Sequence, residues 1–338
     1  MNTNRILISV PLLSLHLLTA LLLGLACGSE ALKEEWELVE TGLPGALTSV
    51  WGTEADDIWA VGSDRGDGNG PTVIRYDGSQ WVMINTGKTS GDLWWVFGFD
   101  GGPVFLGGKN GLILQYEDGS FREMPTPGSA TVYGIWGSAP DDVWAVGGNV
   151  TRDAFAWRYD GEAWREVQGI PQEIAASESL FKVWGKGPGD VWMVGTGGLM
   201  LRYNGSSLAH ISSGTTKMLF TTHAGTNLFA AVGGLGDGII LENDGSGWND
   251  VTPMGTPHVM GLWLDGGDGY AAGVGGAVLR RDAGEWKRVD TGLDLKEAFH
   301  AVWIDPEGGV WAVGGQVLAP PLVDGVVAYR RPDVKNRQ

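Results

Sequence analysis

One short pattern, written four times, constrains this chain more than any other feature. It runs from Val50-Trp51-Gly52 through Asp57-Ile58-Trp59-Ala60-Val61-Gly62. It returns as Ile135-Trp136-Gly137 through Asp142-Val143-Trp144-Ala145-Val146-Gly147, and as Val183-Trp184-Gly185 through Asp190-Val191-Trp192-Met193-Val194-Gly195. A looser copy runs from Val302-Trp303 to Val310-Trp311-Ala312-Val313-Gly314. Two short apolar runs, each holding a tryptophan, flank a turn rich in Gly, Asp and Pro, which reads as a repeated β-hairpin.

The units start at Trp51, Phe97, Trp136, Trp184, about Thr221, Trp263 and Trp303, so six steps cover 252 residues with a mean of 42. Four-stranded propeller blades repeat at roughly 40–45 residues. The third and fourth strands of each unit meet at turns such as Arg75-Tyr76-Asp77-Gly78 before Trp81 and Arg158-Tyr159-Asp160-Gly161 before Trp164. Asp-Gly and Asn-Gly predict two-residue hairpin turns with positive φ at both central residues. The seventh unit stops at Val326–Arg330 without a fourth strand, while Trp36–Val39 is a strand without a blade. Joining them removes two open sheet edges. The expectation is an all-β, seven-bladed β-propeller of four-stranded blades. It forms one domain over residues 35–331, its last blade closed by the N-terminal strand Trp36–Val39, with a tail at 332–338. The repeat-equivalent tryptophans and Arg75, Arg158 and Arg202 are then framework, and Asp57, Asp142 and Asp190 are turn residues.

Before the repeat the sequence is of another kind. A short start carrying Arg5 leads into an apolar stretch, Ile6 to Ala26, followed by Cys27-Gly28-Ser29-Glu30. This is the form of a secretory signal over residues 1–26. Leu23-Gly24-Leu25-Ala26-Cys27 resembles the lipobox of bacterial lipoproteins, although Gly24 stands where that family carries an aliphatic residue. The resemblance implies that Cys27 is acylated, that residues 27–34 form a tether, and that the propeller lies in the bacterial cell envelope, lipid-anchored. Gly28 in the second place fits outer-membrane sorting. Cys27 is the single cysteine, so no disulfide forms within the chain and no cysteine-based metal site exists.

The chain carries 40 acidic against 23 basic residues, a formal charge of −17. Such a surface repels phosphate backbones and anionic lipid, which argues against nucleic acid and against membrane contact other than through the N-terminal lipid.

The Asp-Val-Trp-Ala-Val-Gly runs with their Arg-Tyr-Asp-Gly turns are similar to bacterial BNR-type propellers of the photosystem-II-assembly-factor kind, over nearly all of residues 36–330. No copy has the Ser-x-Asp-x-Gly-x-x-Trp of sialidase-type repeats. A second resemblance is to tectonin propellers, in the order of Trp36 to Leu43 and Trp51 to Arg75, and tectonins are often glycan binders. Both imply fold more firmly than function.

Sites break the symmetry of a repeat. Trp94, Trp95, Tyr133, Lys182, Met260, His258 and His300 stand at the first positions of the innermost strands and are candidates to line the mouth of the central channel. The competing reading is that they plug it. The loop Gly62 to Gly70 carries Asp64, Asp67 and Asn69, weak candidates for calcium whose spacing is not that of an EF-hand. Loops 62–72 and 314–324 are expected to be neighbours. The chain shows no nucleophile triad, no phosphate-binding glycine loop and no repeat-breaking carboxylate pair, so no cofactor and no catalysis are expected. The reading is a monomeric, non-enzymatic binding or scaffold protein for an envelope protein or peptide. The alternatives are a lectin-like glycan binder and, behind it, a hydrolase or lyase.

Overall fold

The computed structural model describes residues 31–332. The signal segment at 1–26, Cys27, the first part of the tether and the tail from residue 333 lie outside the described residues. Seven four-stranded blades stand in a ring. Their innermost strands are Leu47–Glu54, Leu93–Gly98, Thr131–Ala139, Leu180–Gly187, Leu219–Ala224, Val259–Asp265 and Ala298–Ile304. Each packs on the next, and that of blade seven packs on that of blade one. One six-residue α-helix, Gln172–Ser177, lies between blades three and four.

The Trp-Gly pair of the motif is a packing device between blades. A Cβ on Gly52 would lie 2.9 Å from Trp303 of blade seven, and one on Gly185 would lie 2.5 Å from Trp136 of blade three. The rim of one blade's indole therefore lies against the bare backbone of the next, an approach only glycine permits. Blade five departs from this pattern. His223 pairs with Ala230 at the register where Trp184 pairs with Trp192, so that unit is marked by His223 and not by Thr221. The usual aromatic marker is absent there.

The second tryptophan of the motif has an equally definite place. Trp59 carries the Arg75 guanidinium 5.0 Å from its ring centre, and Arg75 forks onto Asp57 through Nε at 2.6 Å and Nη2 at 2.8 Å. Arg158 with Asp142 over Trp144, and Arg202 with Asp190 over Trp192, repeat this arrangement. The arginines are framework as expected. The aspartates do more than turn the chain, since each holds an arginine against an indole face.

The Asp-Gly turns differ from expectation. Tyr76 pairs with Trp81, leaving a four-residue loop in which Asp77 Oδ1 accepts the N–H groups of Ser79 and Gln80. Asp160 and Asn204 do the same. The side-chain cap replaces the second positive-φ residue that a two-residue turn needs. Only Asp118-Gly119 and Ala283-Gly284 form the two-residue kind, with φ of 51° and 80°, and of 50° and 89°.

The ring closes as expected, and closes twice. Trp36–Leu43 pairs antiparallel with Val323–Arg330 and completes blade seven. Ahead of it, Leu32–Lys33 adds a fifth, parallel strand to blade six against Val289 and Asp290. Residues 31–34, expected as the end of a tether, are thus part of the described fold. Glu34 sits between the two blades. Its Oε1 accepts Tyr270 Oη at 2.9 Å and Arg280 Nη1 at 2.8 Å, and its Oε2 accepts Trp36 Nε1 at 3.2 Å.

Candidate functional site

The register of the innermost strands builds the central channel in layers. Every one of the seven pairs with its neighbour through a β-bulge near its start. The extra residue is Thr48, Trp94, Tyr133, Phe181, Phe220, Met260 or His300. A bulged residue leaves the ladder and its side chain is re-aimed, here toward its counterparts. Trp94 meets Tyr133 at 5.3 Å, Tyr133 meets Phe181 at 5.4 Å, and Phe181 stacks on Phe220 at 5.5 Å. Trp94 and His300 stand 6.1 Å apart across blade one, where the small Thr48 leaves room. These side chains form the mouth.

Below the mouth lies a second layer. Lys182 is buried, with its Nζ 3.2 Å from the ring centre of Trp95 and 3.3 Å from the Tyr133 carbonyl it donates to. It reaches blade two across Gly134 of blade three, where a Cβ would lie 3.0 Å from the Lys182 Cα. Burial holds the Lys182 ammonium pKa well below its ordinary 10.5. Trp95 is buried too and donates Nε1 to the Ile135 carbonyl at 2.8 Å. A third layer is the floor. Phe97 of blade two, Trp184 of blade four and Trp263 of blade six are not from neighbouring blades. They still meet at 6.0 and 5.2 Å, so aromatic rings cross the axis and close it. His223 is held between Trp184 and Trp263 at 4.0 and 4.1 Å, and burial pushes its pKa down to about 3.

Of the sequence candidates, Trp94, Tyr133 and His300 come together at the mouth. His258 joins them through a tilted contact with Phe220 at 4.9 Å. Met260 is buried in the same circle. Trp95 and Lys182 belong to the layer beneath. His300 Nδ1 donates to the Thr48 carbonyl at 2.6 Å, which leaves Nε2 as the acceptor. Burial, and then the neighbouring Lys182 charge, press its pKa down to about 4. Two buried nitrogens near the mouth, Trp94 Nε1 and His258 Nε2, have no hydrogen-bond partner. Phe181 and Phe220 are mouth residues that sequence reasoning passed over. A phenylalanine in an apolar strand reads as core unless the bulge is known.

The weak calcium candidates are engaged otherwise. Asp64 accepts the N–H of Gly66 through Oδ1 and of Gly91 through Oδ2, and Asp67 Oδ1 accepts the N–H of Asn69. Among the described residues no three His, Cys, Asp or Glu side chains gather in a metal-binding group. Loops 62–72 and 314–324 are neighbours, joined by the Ser63 hydroxyl on the Leu322 carbonyl. They open on the same face as the mouth, since Leu47 at the start of an innermost strand pairs with Gly62 at the end of the second. Four large apolar side chains stand out on that face, all on connections between strands. They are Val150, Leu235, Met254 and Leu318, at 63%, 65%, 97% and 62% exposure.

No protein-family model matches the chain, and no curated protein matches it. Solved structures do. The chain is similar to YCF48 bound to D1 peptide, at 16% identity and a TM-score of 0.65, over 88% of this chain and 97% of that one. It is similar to YCF48 from Cyanidioschyzon merolae at 16% identity and 0.66, over 88% and 99%. It is similar to the WD40 β-propeller domain of Doa1 at 15% identity and 0.66, over 88% and 98%. At these identities the likeness is one of fold.

Proposed function

We propose that this protein is a non-enzymatic binding protein of the bacterial cell envelope, anchored by lipid at Cys27, whose channel-mouth face holds a protein or peptide. One observation carries the reading. The apolar tips of Val150, Leu235, Met254 and Leu318 all stand exposed on connections that open on the same face as the aromatic mouth, and that face is the one on which the large exposed apolar side chains of the loops are found. A polypeptide suits the face, because its apolar side chains can cover these tips while its backbone keeps its polar groups in water. A propeller of similar fold, YCF48, has been solved with a peptide bound. The glycan alternative is weaker, because Trp95 is buried and Trp94 meets Tyr133 edge-on, at 71°. Anchorage rests on the Leu23 to Cys27 run.

The test is capture from solubilised envelope by the full chain and by a Leu235→Ser/Met254→Ser variant, with and without protease treatment of the envelope. The reading expects discrete proteins that disappear on protease treatment and with the variant. Capture that survives protease and is competed by free sugar would instead make the face a glycan site. Undiminished capture by the variant would remove this face from the account.

A further inference from the structure

The repeat shows what blades one, three and four do with the outer face of their second-strand tryptophan. Each lays its own arginine on it and locks that arginine to an aspartate. Blade six does likewise with Tyr270, Arg280 and Glu34. Blade seven breaks the rule at both positions. Trp311 pairs across its strands with Tyr329 where Trp59 pairs with Arg75, and Gly309 stands where blade one has Asp57. The carboxylate itself is retained by another route. A Cβ on Gly309 would collide with the Asp305 carboxylate, which reaches the same place from the preceding turn and accepts Trp311 Nε1 at 3.0 Å. Blade seven therefore keeps the aromatic plates and the acid but has exchanged the guanidinium for a second ring, Tyr329, 4.2 Å from Trp311.

A cleft of about 680 Å³ opens at this place, between blades seven and one, on the face opposite the channel mouth. Tyr76, Trp81 and Tyr329 wall it, and Glu37, Glu40, Glu54, Asp56 and Glu307 rim it. The carboxylates of Glu40, Glu54, Asp56 and Glu307 meet no cation among the described residues. The cation at its edge, Arg331, is 79% exposed on its side chain and pairs only with Glu37, at 3.5 Å. A half-buried aromatic wall with surplus carboxylates suits a guanidinium, because it stacks on a ring and forks onto an acid at once.

We propose that the cleft between blades seven and one docks an arginine side chain of a partner polypeptide, its guanidinium against Tyr329 and its charge met by Glu54 and Glu307. The site replaces, from outside, the cation that four other blades supply from within. It stands apart from the channel mouth and does not depend on the reading given to that face.

The test uses the full chain in detergent and a neutral, fluorescein-labelled nonapeptide scaffold of Gly, Ser and Ala carrying one central arginine. The same peptide with citrulline, isosteric and uncharged, is the control. The arginine peptide should bind several-fold more tightly than the citrulline one, as a guanidinium over a ring with exposed carboxylates beside it implies. Glu54→Gln/Glu307→Gln should remove that preference. Glu162→Gln/Glu166→Gln, which removes the same charge from blade three, should keep it. Equal binding of the two peptides, absence of binding, or equal loss in both double variants would overturn the proposal, the last because diffuse negative charge would then suffice. Trp94→Ala separates the two faces, since it alters the mouth and should leave this preference intact.

Discussion

Glu34 and Arg280 are 246 residues apart in sequence and 2.8 Å apart in space. Their contact joins the N-terminal segment to blade six just before that segment enters blade seven. The Glu34 side chain is 6% exposed, and Tyr270, Trp36 and Arg330 also converge on it. Removing one partner of a buried charge network leaves the others uncompensated, at about 3–5 kcal/mol. Glu34→Ala should therefore lower the urea midpoint sharply. Glu37→Ala, on the exposed pair with Arg331, should change stability by less than about 0.5 kcal/mol and leave the midpoint almost where it was. Equal midpoints for the two variants would mean that the ring is held by strand pairing alone.

Lys182 makes a different prediction. A lysine whose pKa is depressed on folding binds fewer protons folded than unfolded, so its burial weakens the fold below pH 10.5 and the deficit shrinks as pH rises toward that value. Lys182→Met keeps the volume over Trp95 and removes the charge. It should be more stable at pH 7 and should lose part of the rise in stability between pH 7 and pH 10. If the mouth is a binding face, the same variant should bind less well, because a residue that costs stability is retained where it serves a ligand. A Lys182→Met chain less stable than the parent would show that the cation on the Trp95 ring outweighs its desolvation.

Much of this fold was legible because its sequence signals are local. Trp-Gly marks a backbone approach between blades, and Asp-x-Trp with a later Arg marks a cross-strand pair. Both recur wherever the geometry recurs. The site was less legible. Seven different bulges carry Thr, Trp, Tyr, Phe, Phe, Met and His, since an unpaired position accepts almost any side chain. A bulge shifts by one residue which neighbour faces the axis. Hence Trp94 and Trp95 could not be told apart in the sequence, although one lines the mouth and the other is buried beneath it. The strand Leu32–Lys33 is too short to carry a period. The cleft between blades seven and one draws Glu37 and Tyr329 from opposite ends of the chain, and no local pattern announces such a pair.

His223 and His300 give the fold an acid limit. His223 at about 3 and His300 at about 4 stand below the unfolded value of 6.5, so both are neutral in either state at pH 7. As pH falls through 6.5 the unfolded chain takes up protons that the folded chain refuses. Stability present above 6.5 is then lost toward pH 4, by roughly 2–3 kcal/mol per histidine at pH 4.5. His223→Phe keeps a ring between Trp184 and Trp263. Its absolute stability also reflects the lost acceptor for the Leu264 N–H at 3.1 Å. The informative quantity is the drop from pH 7 to pH 4.5, which should be smaller than in the parent by about one histidine's share. An unchanged drop would place the acid limit on the carboxylates.

Anchorage can be checked without a ligand. If Cys27 is acylated, cells fed labelled palmitate should place label on the parent chain and none on Cys27→Ser, and only the parent should sediment with membranes. Label on neither, with both chains in the membrane fraction, would favour an uncleaved apolar anchor over residues 6–26, a stretch long enough to span a bilayer.

Trp94 and Trp144 separate contact from framework. Trp144 is fully buried, with Arg158 at 5.3 Å over one face and Tyr203 of the next blade at 4.9 Å. Trp144→Ala should cost about 3–5 kcal/mol, the price of an unfilled indole cavity. Trp94 is half-buried and its Nε1 has no partner, so Trp94→Ala forfeits less packing, about 1–2 kcal/mol, and no hydrogen bond. On stability grounds alone Trp144 matters more, and on binding grounds the order reverses. A Trp94→Ala chain that remains folded by circular dichroism yet no longer captures its partner would identify the mouth as the contact surface. If it instead captures normally and only its melting temperature falls, Trp94 is a plug in the channel, and the contact surface must be sought among the apolar tips alone.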